Sequence, residues 1–329
     1  MSNLSIAIPT RNRAKILMEL LDSILRQTVS PREVVVVDDS DNDDTKNLVK
    51  QMWRYFSDTG IEIKYVRGGG EGVTQARNIG ITHATSEIHC SLDDDVVLDK
   101  DYIKEILNVF DHHSNALGVS GHVANIRIAA ASNAFNKLFS LFHTSQDECR
   151  VFPAGISYPY PLTQIINCEW LSGTDCSYKR NIHQEFMWDE NLKQYSLCDD
   201  MDISYRIQKS HPASLFITPN AKCNHKWTPL GRINSARQIY MEVYHHAYFF
   251  FKNMRQTTRN MLSFVFTMFL GNTLSKLLTW NMSSVILVIR ANLSLVRNLQ
   301  EIKAGNFPSL NPIDQSYGQR VRTTKEIFS

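Results

Sequence analysis

The segment EVVVVDDSD, residues 33–41, runs four valines together and then places two carboxylates side by side. Successive side chains of a strand point to opposite faces, so an unbroken β-branched run needs apolar cover on both. A parallel strand sandwiched between helices provides that cover; a half-exposed antiparallel strand does not. The neighbouring sequence supplies the rest of the pattern. LSIAIPT (4–10), IEIKYVR (61–67) and EIHCSLDDD (87–95) also read as strands. Between the first two strands, Ile16, Leu17, Leu20, Leu21, Ile24 and Leu25 form one apolar stripe on a helix over 13–27. Further helices are expected over about 43–56 and 72–84. This alternation predicts an α/β fold with a doubly wound, mostly parallel sheet.

Ligands of such sheets bind outside the carboxyl ends of the strands. Pro9, Thr10, Arg11, Asp38, Asp39 and the run Asp93-Asp94-Asp95 all fall at expected strand ends, with Gly68–Gly70 and Gly72 beyond another. One crevice is therefore expected to gather residues that are far apart in sequence. The period-2 pleat puts Asp93 and Asp95 on one side and Asp94 on the other. Two carboxylates with no cation near them in sequence suit a hard divalent ion, Mn²⁺ or Mg²⁺, whose coordination substrate phosphates complete. A solvated loop of acids is the competing reading. Asp39 can accept from a ribose hydroxyl or a base N–H, or the pair can serve the helix start that follows. The glycines of GGGEGVTQARNIG let backbone N–H groups approach an anion, and Arg77 offers a planar fork to a phosphate or a base. A flexible turn before a helix explains the same glycines.

Composition narrows the partners. A net charge of +2 over 329 residues, without a run of like charges, gives no reason to expect nucleic acid. The N-terminus lacks the apolar core of a secretory signal, and six scattered cysteines without a CxxC pair fit reduced thiols in the cytoplasm. Cys223 and His225 lack the second half of a zinc site. Residues 115–230 are less regular and include a proline-rich stretch at 152–162. Beyond Pro229, helices are expected over about 231–255, 258–280 and 283–304, then a polar tail. The apolar stretches MLSFVFTMFLG and SSVILVI are shorter than the roughly 20 residues that span a bilayer. Aromatic and cationic residues interleave through YHHAYFFFKNMRQTTRNMLSFVF, which fits helices packed on the globular body or an interfacial membrane surface.

SIAIPTRNR, VVVVDDSDNDDT, GVTQARNIGI, LDDDVVL, WLSGTDCSYKRNI and DDMDISYRI occur in the order and approximate spacing of family 2 glycosyltransferases. The chain resembles that family over residues 3–230, and the resemblance implies the GT-A nucleotide-sugar fold. It assigns residues 1–110 to nucleotide-sugar binding, 111–230 to acceptor binding and 231–329 to a helical extension, with membrane association as one role for the extension. It implies that Pro9, Thr10 and Arg11 border the base, that Asp39 reads base or ribose, and that Arg77 lies by the diphosphate. Asp93-Asp94-Asp95 matches the DxD motif, with Asp95 as direct metal ligand and Asp93 toward ribose or a metal-bound water. Asp200 matches the base of inverting members, and Asp199 stands where Glu is more usual, which leaves open which of the two takes the proton. His225, in NHKW, falls where several members complete the metal site, although a structural histidine is the alternative. Trp170 and Gly173 match the acceptor-binding loop, with a buried core Trp as the competing role.

The implied reaction moves a sugar from a nucleoside-diphosphate sugar, UDP-linked by preference over dTDP- or GDP-linked, to a hydroxyl of a glycan or lipid-linked glycan. Cell-surface polysaccharide synthesis at the inner face of the plasma membrane is the expected setting. A sugar-phosphate nucleotidyltransferase is disfavoured because PTRNRAKIL lacks the glycines of that class after the first strand. A non-catalytic nucleotide-sugar or carbohydrate-binding relative is disfavoured by the retention of Asp95 and Asp200.

Overall fold

The structure is a computed structural model and describes residues 2–125, 149–152, 155–157, 162–193, 196–227, 235–278 and 282–308. Most of the proline-rich stretch and the polar tail lie outside the described residues. The chain divides into two units, Met1–Arg232 and Ile233–Ser329.

The first unit opens with β1 (Leu4–Thr10), α1 (Ala14–Leu25), β2 (Glu33–Asp38), α2 (Asp44–Asp58), β3 (Glu62–Arg67), α3 (Val73–His83) and β4 (Ile88–Leu92). It continues with β5 (Val96–Leu98), α4 (Tyr102–His112), β6 (Gly118–Val123), the hairpin β7 (Arg150–Phe152) and β8 (Gly155–Ser157), β9 (Ile166–Cys168) and β10 (Asp175–Lys179). A 3₁₀ turn (Arg180–Gln184), α5 (Asp199–Ser210) and β11 (Leu215–His225) complete it. The main sheet runs β3-β2-β1-β4-β10-β6-β11-β5, with β9 also on β11. Strands β3, β2, β1 and β4 are mutually parallel, whereas β10 runs antiparallel to both β4 and β6.

The valine run behaves as its chemistry requires. Val34 and Val36 join the core under α1, α2 and α4, while Val35 and Val37 pack with Ala76 of α3 on the other face. All four are fully buried, each contributing about 2 kcal/mol of transfer free energy. Gly80 lets α3 sit close on the sheet: a Cβ there would come within 2.7 Å of the Ala7 Cβ.

At the opposite end of β2 from the carboxylate pair, the buried Glu33 ties three segments together. It accepts from Ser5 Oγ of β1 at 2.5 Å and from Thr85 N at 2.6 Å, and it pairs with Lys64 of β3. Burial opposes its charge, but Lys64, Ser5 and Thr85 together lower its pKa from 4.5 to about 2.

The second unit is helical: α6 (Ser235–Asn253), α7 (Thr258–Val265), a π-helical stretch (Phe266–Gly271), α8 (Asn272–Leu278), α9 (Met282–Arg297) and α10 (Leu299–Lys303). The helix expected over 258–280 thus contains a π-bulge, and the buried Asn292 of α9 donates to the Met268 carbonyl inside it at 2.8 Å. Phe250 stacks on Phe264 with centroids 4.3 Å apart, and Tyr244 donates to Ser294 at 2.6 Å, joining α6 to α7 and α9. No helix among the described residues is long and apolar enough to cross a membrane.

Glu33→Gln removes a charge that the fold stabilises. Because the folded pKa is depressed, the stabilisation is full above pH 4.5 and is lost as pH falls toward about 2. Chemical denaturation is expected to show a loss of about 2 kcal/mol at neutral pH, with the gap to the native chain closing across that acid window.

Candidate active site

The site assembles at the carboxyl ends of β1, β2 and β4 because the sheet brings two later segments, the end of β11 and the start of α5, to the same place. β4 stops at Leu92, and Asp93–Asp95 form a turn before β5. Two backbone bonds from remote loops fix this turn: Asp93 N donates to Thr174 O at 3.0 Å and Lys226 N donates to Asp95 O at 2.8 Å. Antiparallel pairing of β5 with β11 places Val96 opposite His225. His225 Nε2 then lies 2.8 Å from Asp95 Oδ1. One ligand atom from each of Asp93, Asp95 and His225 falls within 4.8 Å of the others. Two hard oxygens and an imidazole fit a divalent cation such as Mn²⁺ and leave room for substrate oxygens.

Asp94 points elsewhere. It accepts from Thr10 Oγ1 at 2.7 Å and from Arg13 at 2.9 Å. Burial raises its pKa to about 6 against the opposing pull of Arg13 and Thr10. The separation of Asp94 from its neighbours comes from the turn rather than from strand pleating, since β4 has already ended. Arg13, which the sequence reading passed over in favour of Arg11, also lies 3.8 Å from Asp95. Asn12 explains the exchange: its left-handed backbone (φ 55°) turns the chain so that Arg13 re-enters the protein. Asn12 is pinned by two bonds with Asp41, each 3.0 Å, and by Ser40 at 2.7 Å. Arg11 stays exposed, 3.6 Å from Asp41. Pro9 and Thr10 are buried, and Asp39 accepts from Gly70 N at 2.9 Å.

Arg77, expected beside a diphosphate, is enclosed by protein groups next to the acidic turn. Only 4% exposed, it donates to Asp93 at 3.1 Å and to the Gly173 carbonyl at 3.0 Å, and it pairs with Asp199. Its guanidinium also lies over the Trp188 ring, 4.5 Å from the centroid. Burial disfavours its charge, but Asp199 and Asp93 more than compensate and raise its pKa. It therefore joins the 93–95 turn to the start of α5. Trp188 and the Gly173 carbonyl lack a spacing signal in the sequence and emerge only with the fold.

The three acids opening α5 are disposed differently. Cys198, left-handed at φ 67°, turns the chain into the helix. Asp199 is neutralised by Arg77, and Asp202 by Arg206 at 2.9 Å. Asp200 instead accepts backbone N–H bonds, from Gly173 at 3.0 Å and Met201 at 2.8 Å, and has no ion pair among the described residues. Burial, then the adjacent Asp199 charge, raises its pKa to about 6. Gly173 fits this junction closely: a Cβ there would lie 3.1 Å from Arg77 and 3.2 Å from the Asp200 Cβ. Trp170 is half-buried and packs against the neighbouring core cluster.

The doubly wound sheet of the first unit is the fold of GT-A glycosyltransferases, as solved structures show. A mannosyltransferase from Pyrobaculum calidifontis, in complex with GDP-Man and Mn²⁺, matches with a TM-score of 0.55 at 17% identity, covering 97% of this chain and 80% of that one. Residues 1–349 of Staphylococcus aureus TarS match with a TM-score of 0.52 at 18% identity, covering 96% and 91%. In sequence, S. aureus TarS, a poly(ribitol-phosphate) beta-N-acetylglucosaminyltransferase, is 24% identical over 230 residues, 67% of this chain and 38% of TarS. The chain thus spans under two fifths of that relative's length. Residues 5–148 match the model of Glycosyl transferase family 2.

Arg77→Met leaves Asp93 and Asp199 facing each other without their shared cation. Thermal or denaturant unfolding is expected to show a loss of about 3 kcal/mol, partly recovered in Arg77→Met with Asp199→Asn. Equal stability of Arg77→Met and the native chain would remove the bridging role.

Proposed function

We propose that the protein is an inverting, metal-dependent glycosyltransferase that moves a sugar from a nucleoside-diphosphate sugar to a hydroxyl acceptor. One observation carries this reading: Arg77 and Gly173 hold the 93–95 turn and Asp200 against each other. A cation-binding side and a base side would thus face one reaction centre.

Asp93, Asp95 and His225 would hold a divalent cation, which when bound supplies charge neutralisation on a departing diphosphate, worth several kcal/mol. Thr10 and Arg13 engage Asp94, and by holding it aside they leave its two neighbours to converge. Asp39, Arg11 and the backbone around Gly68–Gly70 line the approach to the carboxyl end of β2, where base and ribose would sit. Asp200 is the better choice of base than Asp199, because Asp199 spends its charge on Arg77. A carboxylate held by backbone N–H groups is oriented yet keeps lone-pair capacity for an acceptor O–H. Proton removal by such a group contributes on the order of 10²–10⁴-fold. A leaving group on one side and a base on the other imply single displacement with inversion.

A UDP-sugar is the proposed donor, and a hydroxyl of a glycan or lipid-linked glycan in cell-surface polysaccharide synthesis the proposed acceptor. The similar structures support both a UDP-type and a GDP-type donor: residues 1–349 of TarS were solved with UDP, and the Pyrobaculum calidifontis enzyme with GDP-Man. Incubation with UDP-, dTDP- and GDP-sugars, with and without Mn²⁺, tests the reading through slow donor hydrolysis. Release of nucleoside diphosphate from one class, dependent on the metal, is expected. Absence of hydrolysis and of nucleotide-dependent thermal stabilisation across all classes would contradict it.

Asp95→Ala is expected to abolish metal-dependent donor binding in calorimetry while the apo protein melts near the native temperature. Asp200→Asn is expected to bind donor normally and to lose at least 100-fold in turnover, on the scale of a missing base (about 10²–10⁴). The native enzyme works through the deprotonated carboxylate, so with donor saturating, turnover should fall about tenfold per pH unit below about 6 and level off above it. A turnover profile flat through that range would exclude Asp200 as the base.

A further inference from the structure

The second unit leaves a face uncovered that its own packing does not need. On α9 the residues Val285, Val288, Asn292 and Leu295 are buried, and α9 packs against α6 along this side. Met282, Ile286, Ile289, Leu293 and Val296 recur at spacings of four and three on the opposite side, and all are exposed, Val296 to 61%. The preceding helical run repeats the arrangement: Leu262, Val265, Phe266, Phe269, Leu270 and Leu277 are exposed, Leu262 to 64%. Soluble proteins rarely leave so many large apolar side chains uncovered on neighbouring helices.

Charge identifies what fits there. From residue 243 to 300 the chain carries Lys252, Arg255, Arg259, Lys276, Arg290 and Arg297 and no Asp or Glu. Since the whole chain is only +2, the remaining residues together are net acidic. Arg290 and Arg297 are exposed and follow Ile286 and Leu293 by one helical turn, so they edge the apolar stripe of α9. A second copy of the chain would bring cation against cation. The α9 stripe also covers barely two heptads, fewer than the three to four that usually sustain a coiled coil. Apolar side chains bordered by cations with no acid among them match an anionic lipid surface, where each basic residue near the headgroups adds about 1 kcal/mol.

We infer that α7 through α9 form an interfacial docking face for anionic membrane, lying on the bilayer rather than crossing it. The transfer reaction of the first unit does not enter this inference, so either can fail alone. Sedimentation of the full-length protein with vesicles of phosphatidylcholine, and of phosphatidylcholine with phosphatidylglycerol, tests it. Binding to the anionic vesicles, weakened by salt, is expected, with little binding to the zwitterionic ones. Arg290→Gln with Arg297→Gln should weaken anionic-vesicle binding on the order of tenfold. Ile289→Ser with Leu293→Ser should weaken it at least as much. Both pairs are exposed, so unchanged circular dichroism and unchanged donor hydrolysis without vesicles are expected. Three results would overturn the inference. One is equal sedimentation with both vesicle types or with neither. Another is a dimer by light scattering that Ile289→Ser with Leu293→Ser disperses. The last is vesicle binding that appears only after removal of residues 309–329, which would make that segment the occupant.

Discussion

Arg77 resolves an electrostatic conflict that the rest of the site creates. Asp93 and Asp199 come from segments more than a hundred residues apart, and both are drawn into partly dehydrated surroundings. Without a cation between them, mutual repulsion and the cost of desolvation would drive the 93–95 turn and the start of α5 apart. The planar guanidinium serves both carboxylates and the Gly173 carbonyl at once, while Trp188 covers its face. A lysine could not reproduce that geometry, since it offers a point charge instead of a fork. With Arg77 in place, Asp200 needs no counter-ion of its own and keeps an oriented, available carboxylate.

The same division of labour runs through both acidic clusters. In each, cations and hydroxyls of the protein engage particular acids at short range. Arg13 and Thr10 take Asp94; Arg77 takes Asp199; Arg206 takes Asp202. Asp93, which shares Arg77, and Asp95 converge with His225 as the group proposed to hold a cation, and across the bridge Asp200 is held by backbone N–H groups. An acidic run that would be a solvated loop in another setting becomes a sorted set because fixed cations select among its members.

Much of this was legible in the sequence, for physical reasons that also mark the limit. The valine run at 34–37 demanded cover on both faces, and α1, α2, α4 and α3 provide it. The strand-end rule gathers Thr10, Asp39 and Asp93–Asp95, because parallel strands share one carboxyl edge, and Thr10 indeed bonds both Asp94 and the Asp39 N–H. Local pattern could not reveal Arg13, whose direction depends on the left-handed Asn12. It could not reveal that Arg77 is enclosed, because Trp188 and Asp199 reach it only through tertiary packing. The antiparallel β10 and the π-bulge at Phe266–Gly271 were also out of reach. Both depend on partners distant in the chain, Leu92 and Ser120 strands for the first and Asn292 for the second.

A crystal structure of the protein soaked with Mn²⁺ and a nucleoside diphosphate tests the central claim most directly, through the anomalous signal of the metal. The account predicts a single strong peak among Asp93, Asp95 and His225, with Arg77 still joining Asp93 to Asp199 and Asp200 open to the same cleft. A metal peak held by other residues, or Asp200 facing a surface that the nucleotide does not reach, would contradict it.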